Sequence, residues 1–366
     1  MQILYFTRRY SVHDQRFLNA LSSEGFDINL LILEQGHNQS TPFVPPDNVS
    51  IVPWAGSNHP LNWYSGFNLK KKLQKIIGDL KPDLIHAGPI QSCAFLGALT
   101  GFHPFVSVSW GYDLLLDASR NGINYWVTKY TLRNSDVMVG DCQTIREKAE
   151  YFGMKSDRIV TFPWGINLDH FNLLETEKVE NREFTLLSTR SWEPVYGVEI
   201  IAHAFVKAVR EIPQLRLVML GNGSQKETLF RIFSQENALE KVVFVGQVEQ
   251  ADLPRYYQNA DLYVSATHSD GTSISLLEAL ACGTPALVSD LPGNKEWISP
   301  GVEGWLFPKG DPDGLKASII HAWQNRERLA DMGKAARSLA ESRADWNRNF
   351  PKLLEAYRLA QGFYTH

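Results

Sequence analysis

The sequence predicts an α/β protein built from two doubly wound, mostly parallel sheets. Its 366 residues exceed what one hydrophobic core ordinarily organises and fit two domains. Short apolar runs rich in β-branched and aromatic residues alternate with longer segments of helical period, a pattern typical of βαβ units. Pro and Gly interrupt this alternation at Pro163–Asn167, and it then restarts. We therefore predict one domain over residues 1–165 and a second over residues 166–345.

The predicted strands are short apolar runs, and the segments between them have helical period. In the first half the strands are Ile3–Phe6, Ile28–Leu33, Leu84–His86, Phe105–Ser109, Val137–Gly140 and Ile159–Phe162. In the second half they are Phe184–Ser188, Leu215–Leu220, Val242–Val245, Leu262–Val264, Ala286–Ser289 and Trp305–Phe307. Predicted helices of the first half include Asp14–Ser23, Leu69–Leu80 and Thr144–Phe152.

The last segment, residues 346–366, follows all predicted strands. Apolar residues from Trp346 to Tyr357 recur there at helical spacing. An amphipathic helix in this place must bury its apolar side on a domain that is already formed. We predict that it returns to the first domain.

Composition excludes several classes of protein. The chain has 36 Lys+Arg and 40 Asp+Glu, whereas nucleic-acid-binding proteins usually carry a basic half or stripe. Three widely spaced cysteines, Cys93, Cys142 and Cys282, indicate a reducing compartment and no disulfide framework. The apolar start meets Arg8 and Arg9 at once, unlike a secretion signal, and no run approaches the roughly 20 apolar residues of a membrane span. We expect a cytoplasmic protein without a nucleic-acid partner; no oligomeric state follows.

The segment from His268 to Cys282 carries the strongest functional signal. A strand ends, a polar loop with Gly271 follows, and a helix begins whose leucines face a core. The first amides of such a helix lack intrahelical acceptors and suit a diphosphate. Asp270 precedes that position and Glu278 lies one turn inside the helix, where both can accept hydrogen bonds from sugar or ribose hydroxyls. A turn former and an exposed helix residue are the alternatives, but Glu278 stands among Leu and Ala, which favours a site.

The motif Asp270-x7-Glu278, with Leu-Leu-Glu-Ala and Cys-Gly-x-Pro, resembles the Glu-x7-Glu motif of the retaining, family-four type glycosyltransferases. The resemblance covers nearly the whole chain and is most specific in the second half. It implies the GT-B fold, two Rossmann-like domains facing across a cleft, and transfer of a sugar from a nucleotide sugar without a metal or cofactor. By family frequency the donor is expected to be UDP-glucose, and the acceptor a glycan or lipid-linked hydroxyl in polysaccharide or glycoconjugate synthesis.

The resemblance implies roles for individual residues of the second domain. Asp270 would contact the donor sugar, one methylene shorter than the usual Glu, and Glu278 would bind the ribose. Arg190 would neutralise the diphosphate, whereas Tyr196 stands where a Lys is usual. Further donor contacts are expected from the diphosphate-facing Gly271, Thr272, Ser273 and Ile274, the base-facing Val248, and Gly221, which is otherwise only a turn residue.

The first domain departs further from the family. Its early loop reads Thr7-Arg8-Arg9-Tyr10 instead of being glycine-rich, and His13 would face the cleft near it. Trp110 and Asp113 stand in a Trp-Gly-Tyr-Asp sequence where the family has His-Gly-x-Asp. Trp110 cannot accept a proton, so we expect it at the catalytic centre as a stacking residue, with a core position as the alternative. His86, at the end of a strand, is either a cleft residue or a structural histidine.

The sequence leaves other functions open. A phosphorylase or sugar-nucleotide epimerase would use the same frame, and a non-catalytic sugar-nucleotide binder would explain Trp110 and Tyr196. A dinucleotide dehydrogenase is disfavoured because no Gly-x-Gly-x-x-Gly follows the first strand. The Asp311-x-Asp313 pair sits in a Pro-Gly turn, where helix capping explains it better than a metal.

A basic stretch in the first domain bears on location. Lys70, Lys71, Lys72 and Lys75 flank apolar residues in a predicted amphipathic helix. Such a helix rests on anionic lipid in some proteins and is a solvated surface in others. Peripheral contact with the inner face of a membrane is therefore one expectation.

Overall fold

The computed structural model describes residues 1–34, 45–54, 63–173 and 183–364, without the side chains of residues 63–67. The chain divides into two compact units. The first unit comprises Met1–Phe162 together with the chain from Phe350 onward, and the second comprises Pro163–Asn349. Residues 174–182, part of an acidic stretch of the sequence, lie outside the description.

The first unit contains a parallel sheet of seven strands over its described residues, in the order β3-β2-β1-β4-β5-β6-β7. Its strands are β1 (Gln2–Thr7), β2 (Asp27–Ile32), β3 (Val49–Ile51), β4 (Leu84–Gly88), β5 (Phe105–Val108), β6 (Val137–Gly140) and β7 (Ile159–Thr161). Its helices up to this point are α1 (Val12–Ser23), α2 (Trp63–Leu80), α3 (Phe95–Thr100), α4 (Tyr112–Leu115), α5 (Gly122–Arg133) and α6 (Gln143–Tyr151).

The second unit contains a parallel sheet of six strands over its described residues, in the order β10-β9-β8-β11-β12-β13. Its strands are β8 (Phe184–Ser188), β9 (Leu215–Leu220), β10 (Val242–Gly246), β11 (Leu262–Ser265), β12 (Ala286–Ser289) and β13 (Gly304–Phe307). Its helices are α7 (Val198–Ala208), α8 (Lys226–Gln235), α9 (Leu253–Asn259), α10 (Ile274–Ala281), α11 (Pro292–Lys295), α12 (Pro312–Gln324), α13 (Leu329–Arg343) and α14 (Trp346–Asn349).

These results confirm the predicted fold class, and each predicted strand has its counterpart. The strands form where they do because central parallel strands are covered on both faces and therefore consist of continuous apolar runs. Ile3–Phe6 in β1, for example, is completely buried. The sequence missed β3, an edge strand in which only Val49 is buried.

The predicted domain boundary after residue 165 needs correction. The segment that begins at Pro163 belongs to the second unit, because Ile166 is tied to that unit's C-terminal helical region. The Ile166 amide donates to the Ala344 carbonyl at 2.7 Å, and the Trp346 amide donates to the Ile166 carbonyl at 3.0 Å. The predicted third segment, residues 346–366, is divided for the same reason.

The predicted continuous C-terminal helix is two helices. After α14 the chain starts again at α15 (Pro351–Gly362), where Pro351 occupies the first turn and cannot continue the hydrogen bonding of the preceding turn. As predicted, α15 packs on the first unit, against β5, β6 and β7. Its Tyr357 hydroxyl lies 2.7 Å from Nδ1 of the buried His86.

Burial lowers the pKa of His86 from 6.5 to about 3, so the folded protein holds this imidazole neutral. Below about pH 6.5 the unfolded chain binds a proton that the folded chain does not. The free energy of unfolding therefore falls with decreasing pH, by about 1.4 kcal/mol per pH unit from this group. We predict that wild type loses about 1.4 kcal/mol more stability between pH 7.5 and pH 5.5 than His86→Gln, measured by urea unfolding.

The exposed His203 supplies the control for this prediction. His203→Gln should keep the pH dependence of the wild type. An identical pH dependence in wild type and His86→Gln would show that His86 does not contribute.

Candidate functional site

The candidate site lies at the carboxyl ends of β8 and β11 in the second unit, the edge at which open parallel sheets bind ligands. Arg190 follows β8 by two residues, and Asp270 lies in the loop that leaves β11. Ser273 immediately precedes α10, the helix that carries Glu278. The fold therefore brings together the predicted donor-binding residues Arg190, Asp270 and Ser273.

The Arg190 guanidinium is fixed by contacts on two of its nitrogens. Its Nη2 lies 2.9 Å from Oδ2 of Asp270, and the two side chains are only 12% and 18% exposed. Its Nη1 donates to Oγ of Ser273 at 2.7 Å and to Oγ of Ser275 at 3.1 Å. The hydroxyl of Tyr263 lies 2.8 Å from Ser275 Oγ and extends the network. Arg190 and Asp270 therefore do not form an exposed surface pair.

Tyr196 occupies the position where the sequence lacks the usual Lys. The Arg190 Cζ lies 4.2 Å from the centre of the Tyr196 ring. A guanidinium over an aromatic face gains about 0.5–2 kcal/mol, depending on how well water is excluded. Tyr196 thus supplies no second cation and instead packs against the cation that is present.

Desolvation and charge pairing act together on the ion pair. Burial lowers the pKa of Arg190, but the Asp270 carboxylate together with Tyr263, Tyr196 and Tyr257 outweighs burial and leaves the pKa raised. Burial raises the pKa of Asp270, and Arg190 opposes that rise. Electrostatic contacts are stronger here than in bulk water because little solvent reaches the pair.

Glu278 is buried on α10, with 7% of its surface exposed. The Tyr257 hydroxyl donates to Oε2 of Glu278 at 2.7 Å and lies 3.0 Å from Oγ1 of Thr189. Burial, followed by the charge of Glu278, holds the pKa of Tyr257 well above its usual value. Glu278 is therefore not an exposed helix residue, and its carboxylate is oriented by a tyrosine from α9.

Sequence reasoning missed Tyr257, Tyr263 and Ser275 as members of this network. Tyr257 lies 21 residues before Glu278, and only the packing of α9 beside α10 joins them. Ser275 lies in the first turn of α10. Its spacing from Ser273 is the one signal that could have suggested a shared partner.

The loop before α10 is tightly packed. Gly271, Thr272 and Ser273 are buried, whereas Ile274 is half-buried. A Cβ on Gly293, in α11, would come within 2.4 Å of the Gly271 carbonyl oxygen. The start of α11 therefore holds the loop in position, and α10 begins at a fixed place.

Gly221 and Val248 lie on neighbouring loops. Gly221 has a φ of +97°, and a Cβ there would lie 2.9 Å from the carbonyl oxygen of Arg190. Gly221 is thus needed for close approach to the Arg190 backbone as well as for its turn. Val248 is half-buried and packs against the core cluster that contains Tyr257 and Leu276.

In the first unit, His13 and Trp110 lie together at the carboxyl ends of β1 and β5. Their ring centres are 6.0 Å apart. Phe17 also packs against Trp110, edge to face, with ring centres 6.0 Å apart. Trp110 is half-buried, so it is neither a simple core residue nor fully exposed. An aromatic pair at a sheet edge can stack on the apolar face of a sugar.

By its sequence Asp113 is a candidate acceptor or cleft residue. It is fully buried, because its carboxylate organises the loop after β5. Oδ1 accepts from Ser109 Oγ at 2.6 Å, and Oδ2 accepts from the Ile90 amide at 3.0 Å. Burial raises the pKa of Asp113, and these hydrogen bonds oppose that rise.

His86 is buried as well. Its ring is 1% exposed, stacks on Tyr5 with ring centres 4.3 Å apart, and bonds Tyr357. Of the two roles left open for His86, the structure shows the structural one.

The Asp-x-Asp pair has a structural role. Oδ1 of Asp311 accepts from the Asp313 amide at the start of α12, and Asp313 pairs with Lys207 at 2.6 Å. Among the residues that the structure describes, no three His, Cys, Asp or Glu side chains come together as a metal site.

Comparison with known proteins gives matches over both halves of the chain. Residues 172–339 match the family described as glycosyl transferases group 1, and residues 2–141 match glycosyl transferase 4-like. Phosphatidyl-myo-inositol mannosyltransferase from Mycolicibacterium smegmatis is 25% identical over 96% of this chain and 90% of its own length. The GtfA subunit of a peptide N-acetylglucosaminyltransferase from Streptococcus pneumoniae is 24% identical over 61% of this chain but only 40% of its own length.

Among solved structures, Anabaena HepE in complex with UDP aligns with a TM-score of 0.78 over 98% of this chain and 100% of HepE, at 17% identity. The two parallel sheets and this likeness define a GT-B fold. The chain belongs to the glycosyltransferases of the family-four type.

Substitution of two glycines near the site tests how closely the chain packs against the Arg190 backbone. Gly221 and Gly246 both have positive φ, but a Cβ on Gly246 would meet nothing within 4 Å. Both Ala variants therefore bear the same backbone strain, and only Gly221→Ala also displaces Arg190. We predict that Gly221→Ala lowers the free energy of unfolding by about 1–3 kcal/mol more than Gly246→Ala.

Chemical denaturation of the two variants checks this prediction. Equal losses in the free energy of unfolding would mean that the Arg190 backbone can move aside without loss of stability. A larger loss in Gly246→Ala would contradict the packing described here.

Proposed function

We propose that the protein transfers a hexose from a nucleoside diphosphate sugar to a hydroxyl of a glycan or lipid-linked acceptor, with retention of anomeric configuration. The observation that carries this proposal is the grouping of Arg190, Asp270 and Glu278 around the first turn of α10. A buried cation beside helix amides suits a diphosphate, and the two carboxylates suit hydroxyls on either side of it.

The leaving diphosphate is the group that gains charge in this reaction. Arg190 is held at fixed distances by Asp270 and Ser273, so it needs little rearrangement when that charge develops. Preorganised donors of this kind stabilise a transition state more than mobile ones do. The amides of Thr272, Ser273 and Ile274 would share the task.

The chain has Tyr196 where the family usually has a Lys, and this difference affects the same step. A charge-assisted hydrogen bond contributes about 1.5–3 kcal/mol, and Tyr196 cannot make one from an ammonium. Leaving-group stabilisation therefore relies on Arg190, whose orientation Tyr196 helps to maintain. No enzyme nucleophile is assigned; the departing phosphate would accept the acceptor's proton on the same face.

Trp110 and His13 are proposed as a stacking surface for a sugar ring, on the basis of their contact at the sheet edge of the first unit. Asp113 positions the loop that carries Trp110, because its Oδ2 accepts from the Trp110 amide at 3.3 Å. Trp110 thus acts by position and not by proton transfer.

UDP-glucose is the proposed donor, and the reaction is proposed to need neither a metal nor another cofactor. HepE was solved with UDP and, in another crystal, with UDP-glucose, which supports a uridine nucleotide. The names of the two curated relatives include mannose and UDP-N-acetylglucosamine, so the sugar is the least constrained part of the proposal.

Substitution of the two carboxylates tests the proposed function. We predict that Asp270→Ala loses roughly 10–150-fold in kcat/KM, because its hydrogen bonds to the donor sugar are worth about 1.5–3 kcal/mol. Glu278→Gln should instead weaken UDP binding in calorimetry. Donor preference would be established by thermal shift with UDP-glucose, UDP-N-acetylglucosamine and GDP-mannose, since a bound ligand stabilises the folded state.

Asp313→Ala is the matched control, because this carboxylate is exposed and pairs only with Lys207 among described residues. It should leave transfer unchanged, with and without EDTA. Full activity of Asp270→Ala would refute its assignment. Phosphate-dependent cleavage, an epimerised nucleotide sugar, or binding without turnover would favour a phosphorylase, an epimerase or a binding protein respectively.

Cytoplasmic location with contact at the inner membrane face is also proposed. In the described residues, no helix is long and apolar enough to cross a bilayer. Leu69 and Leu73 of α2 are buried in the first unit, which leaves Lys71 and Lys75 exposed on the other side. Contact through α2 would thus be electrostatic, without insertion of these leucines.

Sedimentation with vesicles tests that proposal. We expect binding to vesicles that contain phosphatidylglycerol at low salt and release at high salt, because exposed charges are screened. Lys71→Gln/Lys75→Gln should weaken this binding. Equal binding to vesicles of phosphatidylcholine alone would contradict an electrostatic contact.

A further inference from the structure

The loop after β1 carries two arginines that share one acid. Nε of Arg8 lies 2.5 Å from Oε1 of Glu34, and Nε of Arg9 lies 2.5 Å from Oε2 of the same carboxylate. Glu34 follows β2, the neighbour of β1, and its amide donates to the Arg8 carbonyl at 2.9 Å. Adjacent strands of the sheet thus fix both arginines at its carboxyl edge.

The acid is buried and the cations face outward. The Glu34 side chain is 7% exposed, against 36% for Arg8 and 54% for Arg9. Although burial raises the pKa of Glu34, the two arginines outweigh burial and lower it, so the carboxylate stays charged. Two positive groups against one negative group leave the cluster with a net positive charge.

Each guanidinium has nitrogens to spare. Both arginines bond Glu34 through Nε. Within the described part of the chain, neither donates a hydrogen bond from Nη1 or Nη2. The planar fork of these nitrogens matches the oxygens of a phosphate group, and two forks side by side match a group with several oxygens.

A simple surface ion pair explains this arrangement poorly. One arginine would neutralise Glu34, and a second one held at the same carboxylate is repelled by the first. An exposed pair also contributes little to stability. The second cation is accounted for if a further anion binds between the two guanidinium groups.

Residues around the cluster belong to the same sheet edge. The charge of Arg8 acts on the phenol of Tyr112, which is 43% exposed and begins α4 after β5. Ligands of open parallel sheets bind at this edge. The cluster is therefore in a position where a substrate group can reach it.

We propose that Arg8 and Arg9 together bind a phosphate group of the acceptor, as a monoester or as the diester of a lipid headgroup. The proposal rests on the proposed function, which requires an acceptor, and it adds that this acceptor carries a phosphate group. Glu34 is the positioning residue that holds the two guanidinium groups side by side.

Calorimetry on the full chain without donor tests the proposal. The probes are glycerol 3-phosphate as monoester, dihexanoyl phosphatidylglycerol below its micelle concentration as diester, and glycerol as the uncharged match. We expect at least one of the phosphates to bind and glycerol not to bind. Arg8→Gln/Arg9→Gln should weaken phosphate binding by roughly tenfold or more, since each charged contact is worth about 1.5–3 kcal/mol.

Three comparisons make the result specific. Arg326→Gln/Arg328→Gln removes the same charge from the second unit and should retain phosphate affinity within about twofold if net charge alone is unimportant. Arg8→Lys/Arg9→Lys keeps the charge but loses the forks and should be intermediate. If the double Gln variant is unstable because Glu34 is left unpaired, addition of Glu34→Gln removes that buried charge.

The outcomes separate this inference from the proposed function. Normal UDP affinity in Arg8→Gln/Arg9→Gln, with phosphate binding lost, supports both. Phosphate binding that is unchanged in this variant, equally lost in the control, or missing in the wild type with both probes would overturn the inference even if UDP binds. Phosphate binding without any UDP binding in the wild type would instead count against the proposed function.

Discussion

The ion pair between Arg190 and Asp270 is the interaction on which the site depends. Both side chains have lost most of their contact with water, and the cost of that desolvation is offset only while they remain paired and hydrogen-bonded. Ser273, Ser275 and Tyr196 complete the surroundings of the guanidinium. These residues come from the segments after β8 and β11 and from α10. All three segments must therefore be correctly placed before Arg190 has its full set of partners.

The same edge explains why several small residues are placed where they are. Gly221 lets the turn after β9 approach the Arg190 backbone, and Gly293 lets α11 approach the loop before α10. A side chain at either position would collide with the backbone of the neighbouring loop. That backbone could move aside only by breaking hydrogen bonds. Close packing is thus how this fold converts an ordinary strand end into a fixed binding geometry.

The sequence predicted what depends on local pattern. Continuous apolar runs identified the central strands, whereas the exposed edge strand β3 lacked such a run. Glu278 could be recognised as buried from its Leu and Ala neighbours. Contacts distant in sequence could not be predicted: His86 meets Tyr357 across 271 residues, and Asp113 is enclosed by donors that no periodicity reveals. The end of α14 was missed because the apolar residues keep their helical spacing across Pro351.

The departures from the family also fall into a physical pattern. Where a Lys is usual, Tyr196 supports the remaining cation, and where a glycine-rich loop is usual, Arg8 and Arg9 share Glu34. Charge is thus reduced beside the second sheet and concentrated beside the first. The family frame is kept, and what differs is which loop presents the positive groups.

A crystal structure of the full chain with UDP-glucose tests the central claim most directly. The account predicts the diphosphate within hydrogen-bonding distance of Arg190 and the amides of Thr272 to Ile274, with the ribose at Glu278 and the sugar at Asp270. Nucleotide bound at another place, with the contacts between Arg190, Asp270 and Ser273 unchanged and no ligand at the start of α10, would contradict it.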